Sequence, residues 1–155
     1  YIRKLSSSGT VTIIAGNSSG FEYGDGVPAL SARLNGPVAV APDGGGNYYL
    51  TDANRVRKVD SSGIIRTIAG TWNTGGFAGD GGPAANALFS SVVSLAVDTA
   101  GSVYIADAMN NRVRKISCSY LVSHSTTTGG TVSPSTAQTV ASGATVTLQI
   151  APTSG

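Results

Sequence analysis

The acidic side chains are the residues of this chain best suited to chemistry, and most of them recur at a constant spacing. Three aspartates each reappear at the same distance further along the chain, as the pairs Asp25 and Asp80, Asp43 and Asp98, and Asp52 and Asp107. Carboxylates gathered on one surface could hold Ca²⁺, which takes about six to eight oxygen ligands, or act as general acids and bases. A residue that recurs in every copy of a unit is more simply explained by the turns of that unit than by a single catalytic centre.

Other side chains that support catalysis are scarce. His124 is the only histidine and Cys118 the only cysteine of the 155 residues. Neither has a partner at a spacing typical of a zinc site or a catalytic triad. The sequence therefore predicts no enzymatic activity, and Cys118 is either a half-buried thiol or the partner of a cysteine elsewhere.

The basic residues repeat as well. Each unit contains an Arg-Lys pair followed by an aliphatic residue, at Arg3-Lys4-Leu5, Arg57-Lys58-Val59 and Arg114-Lys115-Ile116. Phosphate binding needs several cations presented together, and base stacking needs interleaved aromatic rings, which these stretches lack. With a net charge of only +2, we expect salt-bridged strands and no nucleic-acid partner.

The composition favours strands and tight turns. Charged residues make up 12% of the chain and hydrophobic residues 41%, and there are 21 glycines, which leaves little room for amphipathic surface helices. No apolar run approaches the length of a membrane span. Low charge, abundant Ser and Thr and a single cysteine are typical of a secreted or surface-exposed bacterial protein. Because Tyr1 falls inside a repeat, we expect the sequence to be part of a longer protein.

One complete unit, residues 37–70, predicts the architecture. Short apolar or alternating runs separated by Asp, Asn and Gly turns indicate four strands, at 38–41, 47–51, 55–59 and 64–69. The first of these is a continuous apolar run, which predicts an inner strand buried on both faces. Flanking units predict strands at 2–5, 10–15, 92–97, 102–106 and 112–116. A four-stranded meander is one propeller blade, so the fold class is all-β, a partial β-propeller of about two and a half blades.

The repeated motifs carry a family resemblance. Ile13-Ile14-Ala15-Gly16 is echoed by Thr67-Ile68-Ala69-Gly70, and Gly24-Asp25-Gly26 by Gly79-Asp80-Gly81. This pattern resembles NHL repeats of the long-loop kind found in bacterial surface proteins, over residues 1–116. The resemblance implies NHL-type propeller blades, a fold that serves as a binding platform, as a scaffold and, in some relatives, as an enzyme.

After residue 116 the pattern changes. Gly129-Gly130-Thr131-Val132-Ser133-Pro134 and Gly143-Ala144-Thr145-Val146-Thr147-Leu148 replace the expected fourth strand of the last blade. This stretch resembles the β-rich repeats that bacterial surface proteins carry near internalin-type B-repeats. We therefore divide the chain into propeller blades at 1–116 and the start of a β-rich surface-protein repeat at 117–155.

The turns predict where a site would lie. Successive turns of an antiparallel meander alternate between two faces, which places the interblade loop and the turn between strands two and three on one rim. The candidate binding residues on this rim are Asp25, Asp80, Asp52, Asn54, Asp107, Asn110, Asn111 and Trp72. Two interpretations of the aspartates stay open: they hold Ca²⁺, or they fold their own turns. For Asp80 the second means an Asx-turn, with Pro83 starting a helical turn through Ala87.

These observations favour a non-catalytic extracellular module that provides structure or binding. Its partner is expected to be a protein or a glycan, or further copies of the chain in a homo-oligomer or filament, and the only cofactor that these residues suggest is Ca²⁺. Trp72 either pins the interblade loop or stacks on a sugar. The alternative is a fragment of a propeller enzyme of the lactonase or lyase type, with its catalytic residues outside this segment.

Overall fold

The computed structural model describes residues 1–19 and 24–117, together with the backbone of four later strands. Those strands are β11 to β14, at Ser119–Val122, Gly130–Ser133, Gln138–Ala141 and Gln149–Pro152. Cys118 and His124 lie outside the described residues. Apart from two short 3-10 turns at Ala84–Asn86 and Ala108–Asn110, the regular structure of the described residues is entirely β. The chain is all-β, and the sheets formed by residues up to Ile116 are the blades of a partial β-propeller.

The central blade is an antiparallel meander. It runs through β4 (Val40–Pro42), β5 (Tyr48–Asp52), β6 (Arg55–Val59) and β7 (Ile64–Gly70). A two-residue strand from the preceding loop, β3 (Val27–Pro28), adds to the outer edge by pairing with β7. The sequence predicted the meander but not this fifth strand.

The flanking blades are incomplete in the described residues. The first contributes β1 (Ile2–Leu5) and β2 (Val11–Ala15), which pair with each other. The third contributes β8 (Val92–Val97), β9 (Val103–Asp107) and β10 (Arg112–Ile116), with β9 in the middle. The bounds of these flanking strands agree with the predicted ones to within one residue.

A bulge in the central blade decides which residues share a face. Val56 lies opposite Ala69, whereas the next residue, Arg57, lies opposite Thr67, so Ile68 is the extra residue. Directly opposed residues point to the same side of a sheet. The bulge therefore aligns Thr67 with Arg57 on the face that looks toward the first blade.

The core lies between the blades, in two layers. One layer, between the first and second blades, consists of Ile2, Ala15, Ala29, Ala32, Leu50, Val59 and Ile65. The other, between the second and third, consists of Tyr49, Val56, Ala69, Ala87, Phe89, Val92, Val103 and Ile105. Tyr48 joins the first two blades directly, since its hydroxyl donates to the backbone oxygen of Ile14 at 2.6 Å. Burial between the blades raises the pKa of this hydroxyl.

The predicted burial of the inner strand is wrong. The strand begins at Val40, and Val38 and Val40 are 66% and 46% exposed. An inner strand is buried on both faces only where inner strands flank it on both sides. Among the described residues the first blade presents β1 and β2, its third and fourth strands, and no inner strand covers the face of β4 that carries Val40.

The strands beyond Ile116 pair with one another. β11 pairs with β13 and β12 with β14, and β10 keeps a single neighbour, β9, among the described strands. The third blade thus shows three strands, as the sequence led us to expect. The division at residue 116 into two domains stays a prediction.

Candidate binding rim

Arg57 connects two of the predicted rim residues. Its guanidinium contacts Asp52, at the end of β5, at 3.0 Å and Asp25, in the interblade loop, at 2.9 Å. It also donates to the backbone oxygen of Gly24 at 2.5 Å. Arg57 and Asp52 have no exposed side-chain surface, whereas the Asp25 side chain is 42% exposed. The structure thus brings Asp25 and Asp52 together through a buried arginine that forms an ion pair with each.

The third blade repeats this arrangement. Arg114 contacts Asp80 at 2.5 Å and the fully buried Asp107 at 3.4 Å. It also donates to the backbone oxygens of Leu88 and Ala78 at 2.6 and 2.7 Å. One arginine therefore holds the interblade loop against the end of β9.

The second carboxylate oxygen of each buried aspartate holds a further loop. Asp52 accepts a hydrogen bond from the backbone N–H of Asn35 at 2.6 Å, and Asp107 accepts one from that of Ser90 at 2.7 Å. Asn35 and Ser90 are themselves equivalent positions of the repeat. The guanidinium of Arg55 adds a contact to Asp52 at 2.5 Å. A buried carboxylate is stable only when its oxygens are satisfied in this way.

The predicted Asx-turn at Asp80 is wrong. The described hydrogen bonds of its carboxylate go to Arg114, 34 residues away, and the turn itself closes between the backbones of Gly82 and Gly79 at 3.2 Å. The helical turn after Pro83 is present as the 3-10 turn Ala84–Asn86. Gly79 has a φ of +87°, and a Cβ there would lie 2.7 Å from the Cα of Ala87, so the loop requires glycine.

The rim does not concentrate carboxylates in a way that suits a cation. Asp25 and Asp80 each contact an arginine, and Asp52 and Asp107 are buried. Across residues 1–19 and 24–117, no group of three or more His, Cys, Asp or Glu side chains could hold a metal ion. Each aspartate that the sequence offered for Ca²⁺ forms an ion pair with an arginine.

The three asparagines predicted to lie on the rim differ in their contacts and exposure. Asn110 donates to the Asp107 carboxylate and to the backbone oxygen of Gly76, both at 2.8 Å, which joins the turn after β9 to the interblade loop. Asn111 is exposed and has a left-handed backbone, with a φ of +53°, at the end of the 3-10 turn. Asn54 lies in the corresponding tight turn of the central blade, beside Gly75. Of these three asparagines, Asn111 is the exposed one, and Asn54 and Asn110 are half-buried.

Exposed aromatic and apolar side chains complete the rim. Trp72 is 37% exposed and carries the Arg55 guanidinium 4.7 Å from its ring centre. Phe77 is 46% exposed, with the Arg112 guanidinium 4.0 Å from its ring centre. Met109, in the turn that Asn110 ties to Gly76, is 72% exposed. We call Trp72, Phe77, Met109 and Arg112 the rim patch.

Sequence reasoning missed most of this patch. Phe77, Met109 and Arg112 were not among the predicted binding residues. The signal was present, because Arg112 aligns with Arg55 in the repeat, and both stack on an aromatic ring of the same interblade loop. Phe89, by contrast, is only 1% exposed and fixes that loop to the core.

The central arginines of β6 and β10 are not available to phosphate. Arg57 and Arg114 are buried and paired with carboxylates. These two arginines therefore form the salt bridges between loop and blade that the sequence led us to expect.

The remaining repeated aspartates fold hairpin turns. Asp98 accepts the backbone N–H of Ser102 at 2.7 Å, and this hydrogen bond holds the Asp98 pKa below its usual value. Burial raises the pKa of Asp43, but hydrogen bonds from Asn47 and from the N–H of Gly45 outweigh it and lower the pKa. These two carboxylates act as turn residues.

Sequence comparisons match the blade region to an animal family. The family model of the teneurin NHL domain matches residues 17–76. Human Teneurin-4 is 34% identical over 102 residues, which are 57% of this chain and 4% of that protein. Teneurin-1 of Caenorhabditis elegans is 40% identical over 67 residues, 43% of this chain and 2% of that protein. The chain thus spans only a few per cent of the length of the teneurins it matches.

Solved structures extend the match over most of the chain. A Bacteroides thetaiotaomicron protein of unknown function superposes with a TM-score of 0.64 at 25% identity, covering 73% of this chain and 28% of that one. An auxiliary nutrient binding protein from Bacteroides ovatus superposes with a TM-score of 0.54 at 28% identity, covering 73% and 31%. Together with the family match, these likenesses confirm an NHL-type propeller fold. The resemblance of the tail to internalin-type repeats stays a prediction.

Proposed function

We propose that this chain is a non-catalytic binding module, a propeller scaffold that presents the rim patch to a protein or glycan partner. The observation that supports this most directly is the use of the rim carboxylates: those that could act as acids, bases or ligands are tied to Arg57 and Arg114. Beside these paired carboxylates, the rim offers Trp72, Phe77 and Met109 to solvent.

The chemistry of the patch suits recognition. Aromatic and arginine side chains carry much of the binding energy at protein interfaces, and a Trp ring can also stack on a sugar. Each ring of the patch is held on one side by a guanidinium, which fixes its orientation before a partner arrives. Two of the structural neighbours are auxiliary nutrient binding proteins from Bacteroides, which supports a binding role in general terms.

We place the module outside the cell as part of the same proposal. Its low charge content of 12% and its single cysteine support this location. No helix among the described residues is long and apolar enough to cross a membrane. Self-association of copies is the second form that binding by this scaffold could take.

The proposal is tested by binding and by turnover. A glycan array and a panel of purified extracellular proteins, probed with the full chain, should give at least one saturable partner. Trp72→Ala and Phe77→Ala should weaken it by about tenfold each, as expected for aromatic contact residues. Val93→Thr, a matched exposed position on β8, should leave binding unchanged.

The proposal also predicts that this chain has no catalytic activity of its own. A panel of lactones, esters and uronic-acid polymers should show no turnover by the chain. Turnover that is lost in Asp25→Asn, Asp80→Asn or His124→Ala would overturn the proposal, because these replacements remove the acid and base groups.

A further inference from the structure

Arg55 and Arg112 occupy the same position of the repeat, and each lies opposite the buried aspartate of its blade in the strand register. Their contacts differ. Arg55 is only 6% exposed, and its guanidinium pairs with Asp52 at 2.5 Å. Its contact with the neighbouring strand is to the Thr67 hydroxyl at 3.3 Å, so the carboxylate that compensates its charge comes from the turn.

Arg112 has no such carboxylate partner. It is exposed, and across residues 1–19 and 24–117 no Asp or Glu side chain lies within ion-pair distance of its guanidinium. The third blade therefore presents an uncompensated positive charge at a position where the central blade buries an ion pair.

The turn before the arginine explains this difference. In the central blade it reads Asp-Ala-Asn-Arg, whereas in the third blade it reads Asp-Ala-Met-Asn-Asn-Arg, with Met109 and Asn110 as the additional residues. Asn110 donates to Oδ2 of Asp107 at 2.8 Å. Arg55 contacts the same oxygen of Asp52 in the central blade. The longer turn thus gives this oxygen a neutral partner and frees the arginine from it.

The guanidinium of Arg112 is held in place at the rim. It donates from Nη1 to the backbone oxygen of Asn110 at 2.8 Å and lies 4.0 Å from the centre of the Phe77 ring. A guanidinium carries N–H donors on all three nitrogens, and the described hydrogen bonds of Arg112 use Nη1 alone. Its Nε and Nη2 are available in the fork geometry that binds a carboxylate in bidentate fashion.

The rest of the rim patch is apolar and favours a protein over a sugar. Methionine, arginine and aromatic residues are enriched in protein interfaces, and Met109 is the most exposed side chain of the patch after which no polar group follows until Asn110. A sugar stacks on an open ring face, but the guanidiniums of Arg112 and Arg114 lie over the Phe77 ring at 4.0 and 5.3 Å. The composition therefore suits a protein partner best.

We infer that the rim patch recognises a protein partner through an acidic side chain that pairs with Arg112, next to an apolar side chain that packs on Phe77 and Met109. This inference rests on the proposed function, since it names the chemistry that the rim patch recognises. Arg112 is the charged residue of the patch, so the patch is complementary to an acid. Complementary charge of this kind contributes mainly to specificity and to the rate of association.

Selection from a random peptide library displayed on phage, with the full chain as bait, tests the inference. Selected peptides should contain Asp or Glu beside an aliphatic or aromatic residue. Their binding, measured by fluorescence anisotropy, should weaken by about fivefold in Arg112→Gln, the effect of one partly exposed ion pair. Replacing the acidic residue of the peptide by its amide should have the same effect. Arg66→Gln removes an exposed arginine from β7, away from the patch, and should leave binding unchanged.

Deleting Met109 and Asn110 tests the role of the longer turn. The deletion converts the turn into Asp-Ala-Asn-Arg, the sequence that the central blade has, so Arg112 should pair with Asp107. An acidic peptide and its amide form should then bind this variant equally well, independently of what the Met109 side chain contributes. A preference for the acidic form that survives the deletion would overturn the inference.

The outcomes separate this inference from the proposed function. Selected peptides that lose binding in Trp72→Ala and Phe77→Ala but show no preference for an acidic residue would overturn the inference and leave the rim patch as a binding surface. Peptides whose binding none of the patch variants changes, or no saturable peptide at all, would overturn the protein partner at this surface. Binding of a polyuronate that Arg112→Gln abolishes, without selection of acidic peptides, would assign Arg112 to a glycan and also overturn it.

Discussion

Replacing Arg57 with leucine tests the ion pairs that hold the interblade loop to the blade. The change removes the contacts of Arg57 to Asp52, Asp25 and the Gly24 carbonyl while it keeps an apolar side chain between the blades. Breaking a buried ion pair from one side costs about 3–5 kcal/mol, because a buried charge is left uncompensated. Asp52 retains Arg55 and the N–H of Asn35, so we expect the lower end, about 3 kcal/mol of unfolding free energy.

The assay is urea unfolding followed by circular dichroism, at one protein concentration for all variants. Arg66→Leu is the matched control, because the Arg66 side chain is 57% exposed and its pair with Asp60 lies on the surface; its unfolding midpoint should stay close to that of the wild type. A midpoint for Arg57→Leu equal to that for Arg66→Leu would refute the reasoning.

Three further predictions rest on the same contacts. Asp80→Ala should lower the melting temperature modestly, because it removes an exposed ion pair with Arg114 worth up to about 1 kcal/mol. Calorimetry of the wild-type chain should show no saturable Ca²⁺ binding that this substitution removes. Micromolar Ca²⁺ binding that is lost in Asp80→Ala would contradict the structural role of Asp80. Hydrogen bonds hold the Asp98 pKa below its unfolded value of about 4, so the stability that the Asp98 carboxylate contributes is present above that pH and is lost as the pH falls through the lower, folded pKa. Asp98→Asn should therefore make the urea midpoint fall less steeply at acidic pH. An unchanged fall would count against the hydrogen bonds of this turn. Because β1 and β10 are edge strands among the described sheets, the chain at low concentration should associate or lose structure in sedimentation, whereas a compact, cooperatively melting monomer would speak against open blade edges.

The strands were predictable because their signals are local. Alternating or continuous apolar runs between Gly, Asp and Asn turns fixed β1, β6, β8 and β10 at the bounds that the structure has, and the spacing of the repeats predicted blades. The exposure of Val38 and Val40 was not predictable from the same run, because the burial of an inner strand depends on which neighbouring strands are present.

The site was predictable only in part. Repetition indicated that the aspartates are structural, but local turn chemistry led to an Asx-turn at Asp80 when its actual partner is the distant Arg114. Such a contact depends on how two elements pack, and no spacing rule specifies it. The bulge that aligns Thr67 with Arg57 was missed for the same reason, because it shows only in the register between β6 and β7.

Hydrogen–deuterium exchange of the full chain, resolved by peptide, tests the blade arrangement most directly. β5 and β6 lie inside a five-stranded sheet, and their residues are almost all buried, so their amides should exchange slowest. β10 has the same sequence pattern as β6 but one neighbour only among the described strands, and it should therefore exchange faster. Equal protection of β6 and β10 in the isolated, dilute chain would contradict the account.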